Sequence, residues 1–354
     1  MSLIHRNLKF FEAIQEATSI SLEKDSSVYI IGLGVPDPKG VFGTTSGLLE
    51  KFGPKRVYDM PISENGVTGV AIGSALVGMR PIITHQRVEF ALLSIEQIVN
   101  QAAKWYHMTA GKKNIPLVIR MIIGRGWGQG AQHSQSLESW FAHIPGLKVV
   151  MPASPYDAKG LLISAIEDNN PVIFIEHRWL HNTYGEVPES YYKVPIGKAK
   201  IATEGKDITI VSHSYMTVEA LKAVKILKKY DISCEVIDLR SLRPLDQETI
   251  LNSVNKTKRL LVLDNGWTRY GVSAEIIATV VESNSTILAC PPKRIGIEDV
   301  PIPSTRELAK HCYPNPVKIT QEVFNVLGKE IPSLEEEMND FPSDIPDQNF
   351  SGPF

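Results

Sequence analysis

The chain has 354 residues, 43% of them hydrophobic and 21% charged; that balance fits two globular domains and excludes a disordered or fibrous protein. A formal net charge of -2 gives no bulk attraction to nucleic acid or to an anionic membrane. The 3 cysteines, Cys234, Cys290 and Cys312, are far apart and odd in number, which argues for a reducing compartment and against a disulfide framework or a zinc site.

The N-terminus shows no basic stretch followed by an apolar one, and no apolar run approaches the length of a membrane span. The expected location is therefore the cytoplasm. Ser27 to Gly32 is a β-branched and aromatic run closed by glycine and predicts a buried strand. Gly66 to Val77 is small, apolar and glycine-rich, and predicts a tightly packed core helix. Ile95 to Tyr106 sets Ile95, Ile98, Val99 and Ala102 at helical spacing against Glu96, Asn100 and Lys104. Pro116 to Ile122, Leu147 to Met151 and Val172 to Glu176 predict strands, with a helix over Asp157 to Ile166. Such alternation implies a mainly parallel α/β sheet.

A second, smaller α/β unit is expected from residue 196. It has predicted strands at Asp207 to Ser212, Cys234 to Leu239 and Arg259 to Leu263, and a helix at Thr217 to Lys229 whose lysines form a solvated face. The expected domains are 1–195 and 196–329. Residues 330–354 are acidic and proline-containing, with Phe341, Phe350 and Phe354 spaced along them. They read either as a frayed tail or as a strap that lays its phenylalanines on a partner subunit.

No self-contained catalytic motif of the GxSxG, HExxH or GxxxxGK[ST] kind is present. Gly124 to Gly130 is glycine-rich without GxGxxG order, so a mobile active-site loop is a better reading than a phosphate loop. Glu64, followed by the glycine-rich apolar helix, reads as a carboxylate taken out of water. His133, between Gln132, Ser134 and Gln135, reads as a proton carrier or a structural hydrogen-bonding residue. His85, Arg87 and Glu89 would make a polar pocket in which Arg87 grips a carboxylate or phosphate; pointing away, or touching a partner chain, is the rival reading.

The ordered segments Gly47 to Gly53, Pro61 to Gly66, Glu96 to Asn100, Gln132 to Gln135, Pro145 to Val150, Asp168 to Pro171, Val236 to Asp246 and Asp299 to Pro303 carry a resemblance. Over roughly Phe10 to Lys329 the sequence resembles the β chain of the thiamine-diphosphate-dependent pyruvate and branched-chain 2-oxoacid dehydrogenases. The resemblance implies a transketolase-like pyrimidine-binding domain with a mainly parallel sheet, then a smaller α/β transketolase C-terminal domain. It implies that Glu64 hydrogen-bonds N1′ of the thiamine aminopyrimidine, so that the cofactor can lose its C2 proton, that Phe90 packs on that ring, and that His133 acts on the bound substrate and the acceptor. Plain core packing remains the rival role for Phe90. The resemblance also implies a structural potassium ion at Leu117, Ala165, Ile166, Asp168 and Asn170, where Asp168 and Asn170 would otherwise simply cap a helix and turn.

The Gly-Asp-Gly run that such enzymes use for the Mg2+-diphosphate is absent from the sequence. That half of the site is expected from an α subunit that also holds Mg2+, in an α2β2 heterotetramer. Two departures stand out: Gly32 is followed by Leu33 where the family has an acidic residue, and the His85 to Glu89 segment is more polar than usual. The leading expectation is decarboxylation of a 2-oxoacid with acyl transfer to a lipoyl acyltransferase. The alternative is two-carbon transfer to another acceptor such as an activated sugar, and a third is a silent scaffold for an α partner.

Overall fold

The structure is a computed structural model that describes residues 5–124, 129–284 and 286–340. The first half runs β1 (His5–Lys9), α1 (Phe10–Lys24), β2 (Val28–Gly32), α2 (Leu48–Phe52), β3 (Val57–Tyr58), α3 (Glu64–Leu76), β4 (Arg80–His85), α4 (Val88–Ala91) and α5 (Trp105–Met108). It continues with β5 (Val118–Ile123), α6 (Gly130–His133), α7 (Glu138–Ala142), β6 (Lys148–Val150), α8 (Pro155–Glu167), β7 (Val172–His177) and β8 (Tyr184–Pro188). The second half comprises β9 (Lys200–Thr203), β10 (Ile208–Ser212), α9 (Tyr215–Lys228), β11 (Cys234–Asp238), β12 (Ser241–Arg243), α10 (Gln247–Thr257), β13 (Leu260–Trp267), α11 (Val272–Ser283), β14 (Lys293–Ile297), α12 (Arg306–Ala309), α13 (Pro316–Leu327) and α14 (Glu335–Asp340).

The main sheet has the order β12-β6-β7-β5-β4-β2-β3, and the second sheet β14-β13-β10-β11-β9. β2 to β7 pair in parallel, so helices cover both faces and the strands read as continuous apolar runs. β5 and β7 are buried at every position. Arg120 in β5 therefore needs an internal counter-charge, and Glu176 of β7 supplies it at 2.7 Å. β12 comes from the second half of the sequence but pairs antiparallel with β6, closing the first sheet. One continuous apolar core joins Ile119 and Ile175 of the first domain to Val211, Ile237 and Val262 of the second.

Three expectations need correction. The segment Ile95 to Tyr106 is not one α-helix: a π-helical stretch at Gln97–Ala102 precedes α5, with Ala103 N–H donating to Ile98 O. At this break Ala103 O lies where a Cβ on Gly146 would be only 1.9 Å away, which demands glycine there. Secondly, α3 is only half buried. Thr68, Ala71, Ile72 and Ala75 face the core, whereas Val70 and Val77 are 68% and 82% exposed. Thirdly, the described start of the tail packs on its own chain. Leu334 is buried with Ile226 and Val317, and Glu337 pairs with Lys229 at 2.9 Å. Phe341, Phe350 and Phe354 lie outside the described residues, as do Arg125 to Gly128 of the glycine-rich loop.

Candidate active site

Parallel strands deliver their carboxyl ends to one edge of the main sheet, and the singled-out residues of the first domain meet there. After β2 the chain runs to β3 on one side, and β4 lies on the other side of β2. The crevice between the β2 and β4 loops is thus a switch point, the usual ligand position in open α/β sheets. Phe42 follows β2, Glu64 follows β3, Arg87, Glu89 and Phe90 follow β4, and Gln129 and His133 follow β5.

Glu64 is the first residue of α3, 5% exposed. None of the hydrogen bonds among the described residues uses its carboxylate. A carboxylate at a helix N-terminus is favoured by the orphan N–H groups there. Its oxygens remain available to a ligand. The Phe90 ring is 37% exposed, a flat apolar surface on the same edge.

His133 ends α6 and its Nδ1 hydrogen-bonds Glu89 Oε1. Its ring centroid lies 5.9 Å from that of Phe90, tilted by 42°. The carboxylate fixes the ring and favours the tautomer with the proton on Nδ1, which leaves Nε2 to accept or deliver protons. Sequence reading placed Glu89 in the polar segment but missed this partnership.

His85 corrects an expectation. It is 2% exposed, and burial pushes its imidazole down to about 4. It is neutral near pH 7, so it adds no charge to the pocket. Its Nε2 is buried without a hydrogen-bond partner. Arg87 stays on this edge: its Nη2 donates to Gln129 Oε1 at 3.1 Å, and its guanidinium lies 5.7 Å from the Phe42 ring centre.

Comparisons with known proteins bear on this edge. Residues 6–182 match the "Transketolase, pyrimidine binding domain" family, and residues 197–319 match "Transketolase, C-terminal domain". The chain is 43% identical over 325 residues to the mitochondrial pyruvate dehydrogenase E1 component subunit beta-1 of Oryza sativa subsp. japonica, covering 91% of this chain and 87% of that one. It is 40% identical over 336 residues to the acetoin:2,6-dichlorophenolindophenol oxidoreductase subunit beta of Bacillus subtilis (strain 168), covering 92% and 98%. A solved structure described as "Split gene transketolase, inactive beta4 tetramer" superposes with a TM-score of 0.73 at 22% identity, covering 92% and 99%, and supports the fold.

The chain belongs to the transketolase-like family of 2-oxoacid dehydrogenase β subunits.

Membership in this thiamine-diphosphate-dependent oxidoreductase family makes specific demands on the edge. A buried, unpartnered carboxylate and an accessible aromatic face suit a flat heteroaromatic that carries hydrogen-bonding nitrogens, so Glu64 and Phe90 fit the aminopyrimidine. Leu33, the residue after β2, is 37% exposed, and its carbonyl accepts from Gln86 Nε2 at 2.9 Å.

The potassium site fits this β-subunit-type chain poorly. Arg80 Nη1 donates to Ile166 O and Asp168 O, each at 3.0 Å. Lys148 Nζ pairs with the Asp168 carboxylate, and Asn170 donates to its other oxygen through both its N–H and its Nδ2. Leu117 O and Ala165 O accept from Val172 N–H and Asp168 N–H. Two fixed side-chain cations thus supply the positive charge that a monovalent ion would bring.

Sequence reading also missed a buried cluster at the domain seam. Glu138 of α7, His213 after β10 and Asp264 of β13 are each 1% exposed. His213 Nε2 is 3.7 Å from Glu138 Oε1 and 3.8 Å from Asp264 Oδ1.

Among the described residues no helix is long and apolar enough to cross a membrane.

Proposed function

We propose that this chain supplies the aminopyrimidine half of a thiamine diphosphate site and works as the β subunit of an α2β2 heterotetramer that decarboxylates a 2-oxoacid and passes the acyl unit to a lipoyl acyltransferase. The observation that carries this reading is the Glu64 carboxylate, buried and without a partner at the carboxyl edge of a parallel sheet. The α subunit would hold Mg2+ and the diphosphate, since no Gly-Asp-Gly run occurs in this sequence. Three free cysteines suit a reducing compartment such as the cytoplasm.

When bound, the cofactor supplies the electron sink that makes loss of CO2 feasible. Glu64 would hold a proton at N1′ of the pyrimidine, and Phe90 would support the ring. His133, steered by Glu89, would move protons at Nε2 between substrate and acceptor.

The test is co-expression with an α-type chain, then an assay with thiamine diphosphate and Mg2+ on pyruvate, other 2-oxoacids and acetoin, since the relatives are named for pyruvate and for acetoin. Turnover that depends on both chains and disappears in Glu64→Ala supports the reading. Undiminished turnover in Glu64→Ala, or tight cofactor binding by this chain alone, overturns it.

A further inference from the structure

Arg87 and Arg178 are each 6% exposed, and they come from different loops, after β4 and after β7. Both guanidinium groups lie against one ring. Their central carbons are 5.7 and 4.6 Å from the centre of Phe42. Two like charges stacked on one aromatic in the interior repel each other and have lost their hydration. Burial holds both groups below their ordinary range, and the Arg87 charge adds to the effect on Arg178, which sits at about 10.

Among the described residues neither neighbouring carboxylate forms an ion pair with these two arginines, and the second oxygen of Glu89 is itself buried without a hydrogen bond. Glu176 is bound by Arg120 Nε at 2.7 Å and by His181 Nε2 at 3.2 Å. Glu89, the carboxylate whose charge reaches Arg87, directs one oxygen to His133. Arg178 forms no ion pair with a carboxylate among the described residues. Arg87 Nη1 and Arg178 Nε are buried donors with no acceptor. Orphaned donors on buried cations are costly, and a bound oxyanion removes that cost.

The position is that of a ligand site. Phe42 and Arg87 flank the β2/β4 switch point. Gln129, which accepts from Arg87, immediately precedes the short helix that carries His133.

We propose that Arg87 and Arg178, backed by Phe42, form an oxyanion subsite that holds a second negatively charged group of the substrate or acceptor, a carboxylate or phosphate remote from the reacting carbon. The subsite rests on the thiamine reading only for the identity of the reaction; anion binding itself stands apart from it. A planar guanidinium pair suits the oxygens of either group, and a plain 2-oxoacid such as pyruvate has no second anion to offer.

The experiment uses the assembled complex with its α subunit, saturated with thiamine diphosphate and Mg2+ so that the cofactor's own phosphate sites are filled. Inorganic phosphate and succinate are titrated by calorimetry into the unaltered complex and into Arg87→Met, Arg178→Met and Arg178→Lys. At least one anion is expected to bind, weakened roughly 10- to 100-fold in both Met variants and less in Arg178→Lys. Preference for phosphate marks a phosphorylated ligand, and preference for succinate a dicarboxylate. Should a Met variant fail to assemble, Arg178→Lys still reports, because a change of fork geometry must alter the affinity. No measurable binding of either anion, or equal binding in all variants, overturns the proposal. The Glu64→Ala complex separates the two readings: arginine-dependent anion binding with undiminished turnover in Glu64→Ala would keep the subsite and reject the thiamine role of Glu64.

Discussion

His213 and Glu138 face each other at 3.7 Å across the seam between the two domains, both buried, at a separation too long for a hydrogen bond. Burial alone would lower His213, but the charges of Glu138, Asp264 and Asp238 overcome it and raise the imidazole. Burial raises Glu138 as well, with the Asp264 charge adding and His213 opposing. Both groups therefore bind protons more tightly in the folded chain. Their contribution is fully present below the ordinary values of 6.5 and 4.5 and is lost as pH rises through the raised ones. The thermal midpoint of the assembled protein is expected to fall with rising pH above 6.5, and His213→Gln is expected to flatten that slope. Identical slopes in the two proteins would show that the seam does not titrate.

Asp238 gives a second titration. Burial, with the nearby Asp157 charge, pushes its carboxyl up to about 7. As a raised carboxyl it stabilises the fold below 3.8 and loses that contribution as pH climbs to about 7. Asp238→Asn keeps an oxygen for the Arg240 N–H and removes the ionisation. The variant is expected to be the more stable form at pH 8, with the difference vanishing in acid, as read by urea denaturation at several pH values.

The Arg120–Glu176 pair is wholly internal, each side chain at 0% exposure. Arg120→Met leaves Glu176 with His181 alone, and a destabilisation of about 3–5 kcal/mol is expected. Arg120→Met combined with Glu176→Gln should recover part of it. A double variant no better than the single one would show that packing volume, rather than the unpaired charge, sets the loss.

Glu89 is expected to matter through His133. Glu89→Ala removes the acceptor that fixes the ring, and kcat for 2-oxoacid turnover should fall roughly 10- to 100-fold, with KM changed less. Glu89→Gln, which keeps an acceptor oxygen, should recover part of that loss. A fall in KM-linked affinity with kcat intact would instead assign Glu89 to substrate binding.

Much of this was legible in the sequence. The runs at 28–32, 118–123 and 172–177 are continuous and β-branched, which is how strands of a covered parallel sheet must read. β4 escaped because Pro81 sits at its second position, where a strand tolerates proline but a pattern reader does not, and because its last residues look like a polar loop. Glu64 and His133 were singled out through local motifs, and the structure sets both on the carboxyl edge of the main sheet. Their supporting residues were not visible that way. Glu89 and His133 are 44 positions apart, and Arg178 meets Arg87 only because β7 and β4 end on the same edge. Contacts that depend on sheet order leave no trace in local spacing.

The strand Ser241–Arg243 carries a consequence for how this protein comes into being. Residue 241 registers with Val150, and Met151 N–H donates to Arg240 O at 2.8 Å. While the ribosome is still translating the second half, the first sheet has a bare flank along β6, and bare flanks recruit foreign strands. A fragment that stops before residue 240 should therefore aggregate instead of surviving as an independent module. The two family segments, tidy in sequence, are one physical unit with a shared seam.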